Sequence, residues 1–145
     1  MAVKIYRLSD RIPVKIGEIT FKLGPMTAEQ RIDVMECYET VGGETVGDMV
    51  RATMKVIKYS VKDVDGIEYA TDEGQYKVQF EDDSKRALSD ECVDELLGLE
   101  QKTELATVCY AFLNGIPSEI IDPRTKKKLK GVEMLPAEKS EGKKN

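Results

Sequence analysis

Histidine is absent from the 145 residues. With it go the Ser-His-Asp and Cys-His nucleophilic arrangements, the commonest zinc ligand and the usual acid–base group near neutral pH. Cys37, Cys92 and Cys109 stand too far apart for a Cys-x-x-Cys zinc or redox site. An odd number of isolated cysteines makes no disulfide framework, and each lies in a helix-like apolar pattern, so they read as small buried side chains. Carboxylates are plentiful, and a pair such as Asp82 and Asp83 is the raw material of glycoside hydrolysis. Most acidic residues nevertheless fall in loops or on polar helix faces, and there is no tryptophan to line a sugar cleft.

Weaker patterns come closest to binding sites. Asp63-Val64-Asp65-Gly66 resembles part of a calcium loop. Setting Gly66 at the obligatory glycine places Val61 at the first ligand position and Asp72 at the closing one, a poor fit. Gly42-Gly43-Glu44-Thr45-Val46-Gly47 precedes a helix but lacks the spacing and the lysine of a phosphate-binding loop. Lys126, Lys127, Lys128 and Lys130 form a basic run without interleaved aromatic residues, which leaves single-strand stacking unsupported. It reads as a solvated tail or a protein-contact segment. Met26, Met35, Met49 and Met54 are either core or an adaptable apolar surface, as a groove accepting varied partners would need. These four methionines and four lysines are the candidate partner-binding residues. No cofactor or metal site is indicated, and no catalytic residue stands out.

The length suits one domain with its own core. The net charge of −5 is unevenly spread: residues 122–145 carry eight basic and four acidic side chains, leaving −9 for residues 1–121. An acidic body repels nucleic-acid phosphates, so no nucleic-acid partner is expected. No apolar run has the length of a signal peptide or a membrane span, so a cytoplasmic location and no membrane partner are expected.

The elements that must position these residues follow from periodicity. Val14 and Ile16 face Ile19, Phe21 and Leu23 across Gly17-Glu18, a type II′ hairpin signal over residues 13–23. Val3 and Ile5 alternate as a short strand would. Thr27 and Gln30 form a capping box for a helix over about 28–40, with Ile32, Met35 and Tyr38 at helical spacing and Gly42-Gly43 as its stop. A second helix starts near Thr45 or Asp48 and ends near Ser60, with a broad apolar face. Ile67, Tyr69, Tyr76, Val78 and Phe80 suggest a second hairpin over residues 66–80. Ser89 caps a third helix, and a fourth starts near Thr103 and stops at Asn114-Gly115. From Pro123 on the pattern dissolves. The expected fold is α+β: a mostly helical single domain of about four helices over residues 1–121, two flanking β-hairpins, and a basic, largely disordered tail over residues 122–145.

Three segments carry a family resemblance. Ile12-Pro13-Val14-Lys15-Ile16-Gly17-Glu18-Ile19-Thr20-Phe21 followed by Gly24-Pro25-Met26-Thr27 resembles the tail assembly chaperones of long-tailed bacteriophages. So do Ile57-Lys58-Tyr59-Ser60-Val61-Lys62-Asp63 and Ser89-Asp90-Glu91-Cys92-Val93-Asp94-Glu95-Leu96-Leu97. The likeness spans residues 3–121 and rests on general pattern rather than an invariant motif.

The resemblance implies a non-enzymatic, mostly helical protein that coats the tape-measure protein before the tail tube polymerises around it. It implies residence in the host cytoplasm and absence from the mature virion. Some such chaperones are also made in a longer, frameshifted form that recruits the tail tube protein. Lys143-Lys144 suits an A-rich slippery run, which makes this chain the short product on that expectation. Homo-oligomerisation stays open. The competing readings are a structural minor tail or head–tail connector component, and a small carboxylate enzyme using Asp82 and Asp83.

Overall fold

The computed structural model describes residues 2–41 and 44–138. Strands β1 (Ile12–Ile16) and β2 (Ile19–Leu23) form the expected hairpin, with Ile16 opposite Ile19. Gly17 turns the chain at φ +61, the positive value that the first central position of a type II′ turn needs. Ile12, Val14 and Ile16 share one face with Ile19, Phe21 and Leu23, and all six are buried. The period-two alternation therefore sets the core face of the sheet.

Helix α1 (Ala28–Met35) opens with the capping box: Gln30 N–H donates to Thr27 Oγ1 at 3.1 Å, and Thr27 N–H donates to Gln30 Oε1 at 3.0 Å. It stops well short of residue 40. Tyr38–Val41 is strand β3, paired antiparallel with β4 (Glu44–Gly47) in a separate two-stranded ribbon. The tyrosine, threonine and valine of β3 favour extended backbone. Gly47 also lets the Tyr38 ring lie where a Cβ would come within 2.8 Å. Val34, not Ile32 or Met35, is the buried residue of α1. The expected stop at Gly42-Gly43 lies outside the described residues.

Helix α2 (Met49–Ser60) is capped by Asp48, whose Oδ1 accepts from Arg51 N–H at 3.0 Å. Ala52, Val56, Ile57 and Ser60 form its buried stripe. Strand β5 (Val61–Asp65) follows without a loop and pairs antiparallel with β2. Leu23 pairs with Val61 and Lys22 with Asp63, so Lys62 is the extra residue of a β-bulge.

Over residues 66–80 the chain doubles back as expected for the second hairpin, but no strand ladder forms. That stretch is irregular, held by isolated bridges of Glu68 with Gln75 and Phe80 with Leu88 and by Tyr76 N–H donating to Ile67 O at 2.8 Å.

Helices α3 (Asp90–Leu96) and α4 (Lys102–Ala111) lie where expected, and Ser89 Oγ caps α3 by accepting from Cys92 N–H at 3.2 Å. The tail is a correction. Strand β6 (Val132–Met134) pairs antiparallel with β1, and Ile120 O accepts from Leu129 N–H at 3.0 Å to close a tight turn before it. Within residues 122–145 the strand Val132–Met134 thus joins the main sheet; residues 139–145 lie outside the described residues. Val3 and Ile5 form no strand and are exposed.

The main sheet has order β5-β2-β1-β6, antiparallel throughout. The first hairpin is its centre rather than a flank. The class is α+β, with four helices among the described residues, but not mostly helical. Sheet residues such as Val14 and Phe21 share one core with Val56 and Ile57 of α2, Leu96 of α3 and Val108 of α4.

Candidate docking surface on the second helix

The eight candidate residues separate into four places. Met26 is 2% exposed and packs in the core, so it is removed from the surface set. It precedes the α1 cap, where the chain leaves β2 and must turn under the helices. Met35 is exposed on the outer side of α1 together with Ile32, one turn away. Met49 and Met54 belong to α2, Met49 exposed at its first position and Met54 partly buried against the core.

Val50, 72% exposed, completes this surface. Val50 and Met54 lie four residues apart on α2, hence on one face. They line a groove of about 420 Å³ that runs along α2 to the start of α3, with Tyr59 and Val93 beneath. Its charged rim is Asp48, Arg51, Lys55, Lys58 and Asp90. An apolar floor with a charged rim of both signs suits an amphipathic helix or strand.

The rim is fixed from both sides. Lys58 Nζ lies 2.8 Å from Asp90 Oδ1 and 3.0 Å from Glu81 Oε2, joining α2 to α3 and to the loop before it. Burial pulls the Lys58 pKa down, but the hydrogen bonds to Asp90 and Glu81 outweigh it and the net displacement is upward. On the α1 side, Asp33 accepts from Lys55 at 2.7 Å and from the Tyr59 hydroxyl. These two bonds hold the Asp33 carboxyl below its usual range. Burial, and then the bond to Asp33, push the Tyr59 phenol up. Lys55, Lys58 and Tyr59 are thereby held as the wall of the groove.

No family model matches this chain, and neither a curated protein nor a solved structure matches it.

Lys126, Lys127, Lys128 and Lys130 lie exposed on the turn between Ile120 and β6, with Lys126 at φ +61. Lys126 N–H donates to Asp122 O at 2.9 Å and Asp122 N–H to Lys127 O at 2.8 Å. None of the four lines the α2 groove. The methionines and lysines therefore do not form one site.

The remaining patterns resolve simply. Cys37, Cys92 and Cys109 are buried free thiols. Asp82 is exposed and accepts from the Ser84 hydroxyl and, at 2.9 Å, from Ser84 N–H; these bonds hold its carboxyl below the usual range. Asp83 is an exposed neighbour in the same loop. Asp63 and Asp65 belong to β5, and Gly66, at φ +99, lets the chain pass where a Cβ would sit 2.7 Å from Glu18 O. Among the described residues no three His, Cys, Asp or Glu side chains gather to hold a metal, and no helix is long and apolar enough to cross a membrane. One cluster was not signalled by the sequence at all: Arg11, Lys62, Lys85 and Arg86 meet across a cavity from three distant segments. No local spacing links residues so far apart in the chain.

Proposed function

We propose that this protein is a non-enzymatic tail assembly chaperone of a long-tailed bacteriophage, which binds and solubilises the tape-measure protein while the tail tube polymerises. The observation that carries a docking role is the groove along α2, with Val50 and Met54 in it and Met49 beside it. The choice of guest rests on the sequence resemblance. A tape-measure protein is a long helix with apolar stripes, which would aggregate if left uncovered. An adaptable, methionine-bearing groove can cover such stripes without demanding one sequence. The acidic chain, with a net charge of −5, would help keep the complex soluble. Recruitment of the tail tube protein through a longer frameshifted form, work in the host cytoplasm and absence from the mature virion belong to the same proposal.

The test is co-expression with the tape-measure protein of the same phage. The proposal expects that protein to become soluble and to co-purify with this chain, and expects this chain to be missing from purified particles. An insoluble tape-measure protein, together with this chain inside the particle, would favour a structural minor tail or head–tail connector component instead.

A further inference from the structure

A second cavity, of about 200 Å³, lies between the segment before β1, the start of α1, β5 and the loop before α3. Its charged side chains are Arg11, Lys62, Lys85 and Arg86, all cationic. Ser84 and Thr27 add hydroxyl-bearing side chains to the wall. Among the described residues, none of the four cations forms an ion pair.

Three features show that the convergence is built into the fold. The bulge in β5 carries Lys62 out of the alternating pattern, and bulges commonly re-aim a side chain in this way. Lys62 is only 6% exposed, and among the described residues its ammonium makes one hydrogen bond, to Arg86 O at 2.7 Å, out of three donors. Gly24 leaves the space in which the stems meet. A Cβ there would sit 3.1 Å from Arg11 Nη1 and 3.3 Å from Lys62 Cγ and Cε.

A buried ammonium beside two guanidinium groups is costly unless an opposite charge completes it. The nearby carboxylates act from outside: Asp10 and Asp63 on Arg11, and Asp82 on Arg86, none of them lining the cavity. The N-terminus of α1 contributes a further positive end, partly opposed by Glu29.

We propose that this cavity is an oxyanion site for a phosphate group, either inorganic phosphate or the end of a small phosphomonoester. The volume favours a small group, since pockets for drug-sized ligands start at about 300 Å³. Arg11 Nη1 already donates to Leu8 O at 3.0 Å and to Asp10 O at 2.9 Å, so the forked donor for the phosphate oxygens is the Arg86 guanidinium, with Arg11 adding its charge and Lys62 the buried point charge. The site is separate from the α2 groove and does not depend on the chaperone reading.

The experiment follows backbone amides of the full chain by NMR while inorganic phosphate, glycerol phosphate and acetate are added in turn at constant ionic strength. Saturable shifts at Gly24, Lys62 and Arg86 are expected with phosphate and not with acetate. Tighter binding of glycerol phosphate would assign the ester, and equal binding the free ion; both support the site. Arg86→Ala removes an exposed side chain and leaves the backbone acceptor of Lys62 in place, so it should fold and should weaken phosphate binding at least about tenfold, the worth of one charge-assisted bond. Lys62→Met provides a second reading where it folds. Absence of saturation, equal shifts with acetate, or unchanged binding in Arg86→Ala overturns the proposal.

Discussion

The Lys62 ammonium donates to the Arg86 carbonyl across 2.7 Å, a single neutral acceptor for a charge that is almost wholly buried. Burial, and then repulsion from Arg11 and Arg86, bring the Lys62 pKa down from 10.5 to about 8. The unfolded chain therefore holds a proton that the folded chain releases between those two values. Stability should rise with pH across that window, because the unfolded state binds more protons there. The gain should be about 1–2 kcal/mol between pH 7 and 9.5, the range below the ordinary tyrosine pKa. Lys62→Met should lack this gain. Urea denaturation of both proteins at several pH values checks it, and parallel pH profiles would mean that Lys62 stays charged and satisfied throughout.

The docking reading makes a separate demand on α2. Val50→Glu changes an exposed residue that lines the groove, so its effect on folding should be within about 0.5 kcal/mol. It should nevertheless abolish co-purification of the tape-measure protein, and Met49→Glu should weaken it. Lys127→Glu, on the distant turn, should leave it intact. Met26→Ala behaves differently. It empties a core position and should destabilise by about 2–5 kcal/mol. Thermal melts run beside the pull-downs separate loss of fold from loss of surface.

Tyr76 anchors the irregular segment before α3. Its hydroxyl lies 2.8 Å from Glu95 Oε1, to which it donates, and 3.0 Å from Cys92 Sγ, both in α3. Burial, and then these two contacts, push the phenol well above its ordinary pKa. Tyr76→Phe keeps the ring and removes the bond, so it should cost about 1.5–3 kcal/mol, the range for a hydrogen bond to a charged group. Amide exchange should quicken first over residues 67–80, the stretch with few ladder bonds of its own. Uniform exchange in the variant would show that the segment is held by Ile67 and Val78 packing instead.

The sequence was legible where local rules act alone. Alternation around Gly17 located the first hairpin and its core face, and the caps Thr27 and Ser89 located two helix starts within a residue or so; of the two starts open for α2, Thr45 falls in β4 and Asp48 is the cap. It was misleading where a partner distant in the chain decides. Ile32 and Met35 have helical spacing, yet the tertiary contacts of α1 bury Val34. Val61 continues the apolar face of α2 in sequence, and only pairing with β2 makes it a strand residue. Val132 and Met134 look scattered among charges until β1 offers an edge. The cationic cavity joins residues 11, 62 and 85–86, a separation no spacing rule spans. The partial loss of Met26 from the surface set has the same root: a methionine at helical or turn spacing does not say which side is covered.

Ser60 closes α2 with a hydroxyl that is buried and has no hydrogen-bond partner among the described residues. Its backbone carbonyl is satisfied, accepting from Gly24 N–H at 2.9 Å. The Cys109 thiol, a weak acceptor, feels this hydroxyl: burial pushes its pKa up, and Ser60 draws it down only in part. A buried donor left unmade costs about 1–3 kcal/mol. Ser60→Ala removes that donor together with only one heavy atom, so the cavity left is small. The variant should be as stable as the parent or more stable by about 1 kcal/mol. Urea denaturation, with Cys109→Ala and the double variant run alongside, tests this. Additive effects in the cycle mean that the two groups do not bond. A destabilised Ser60→Ala that couples to Cys109→Ala would show the hydroxyl donating to the thiol, and would turn this position from a liability of the core into one of its polar contacts.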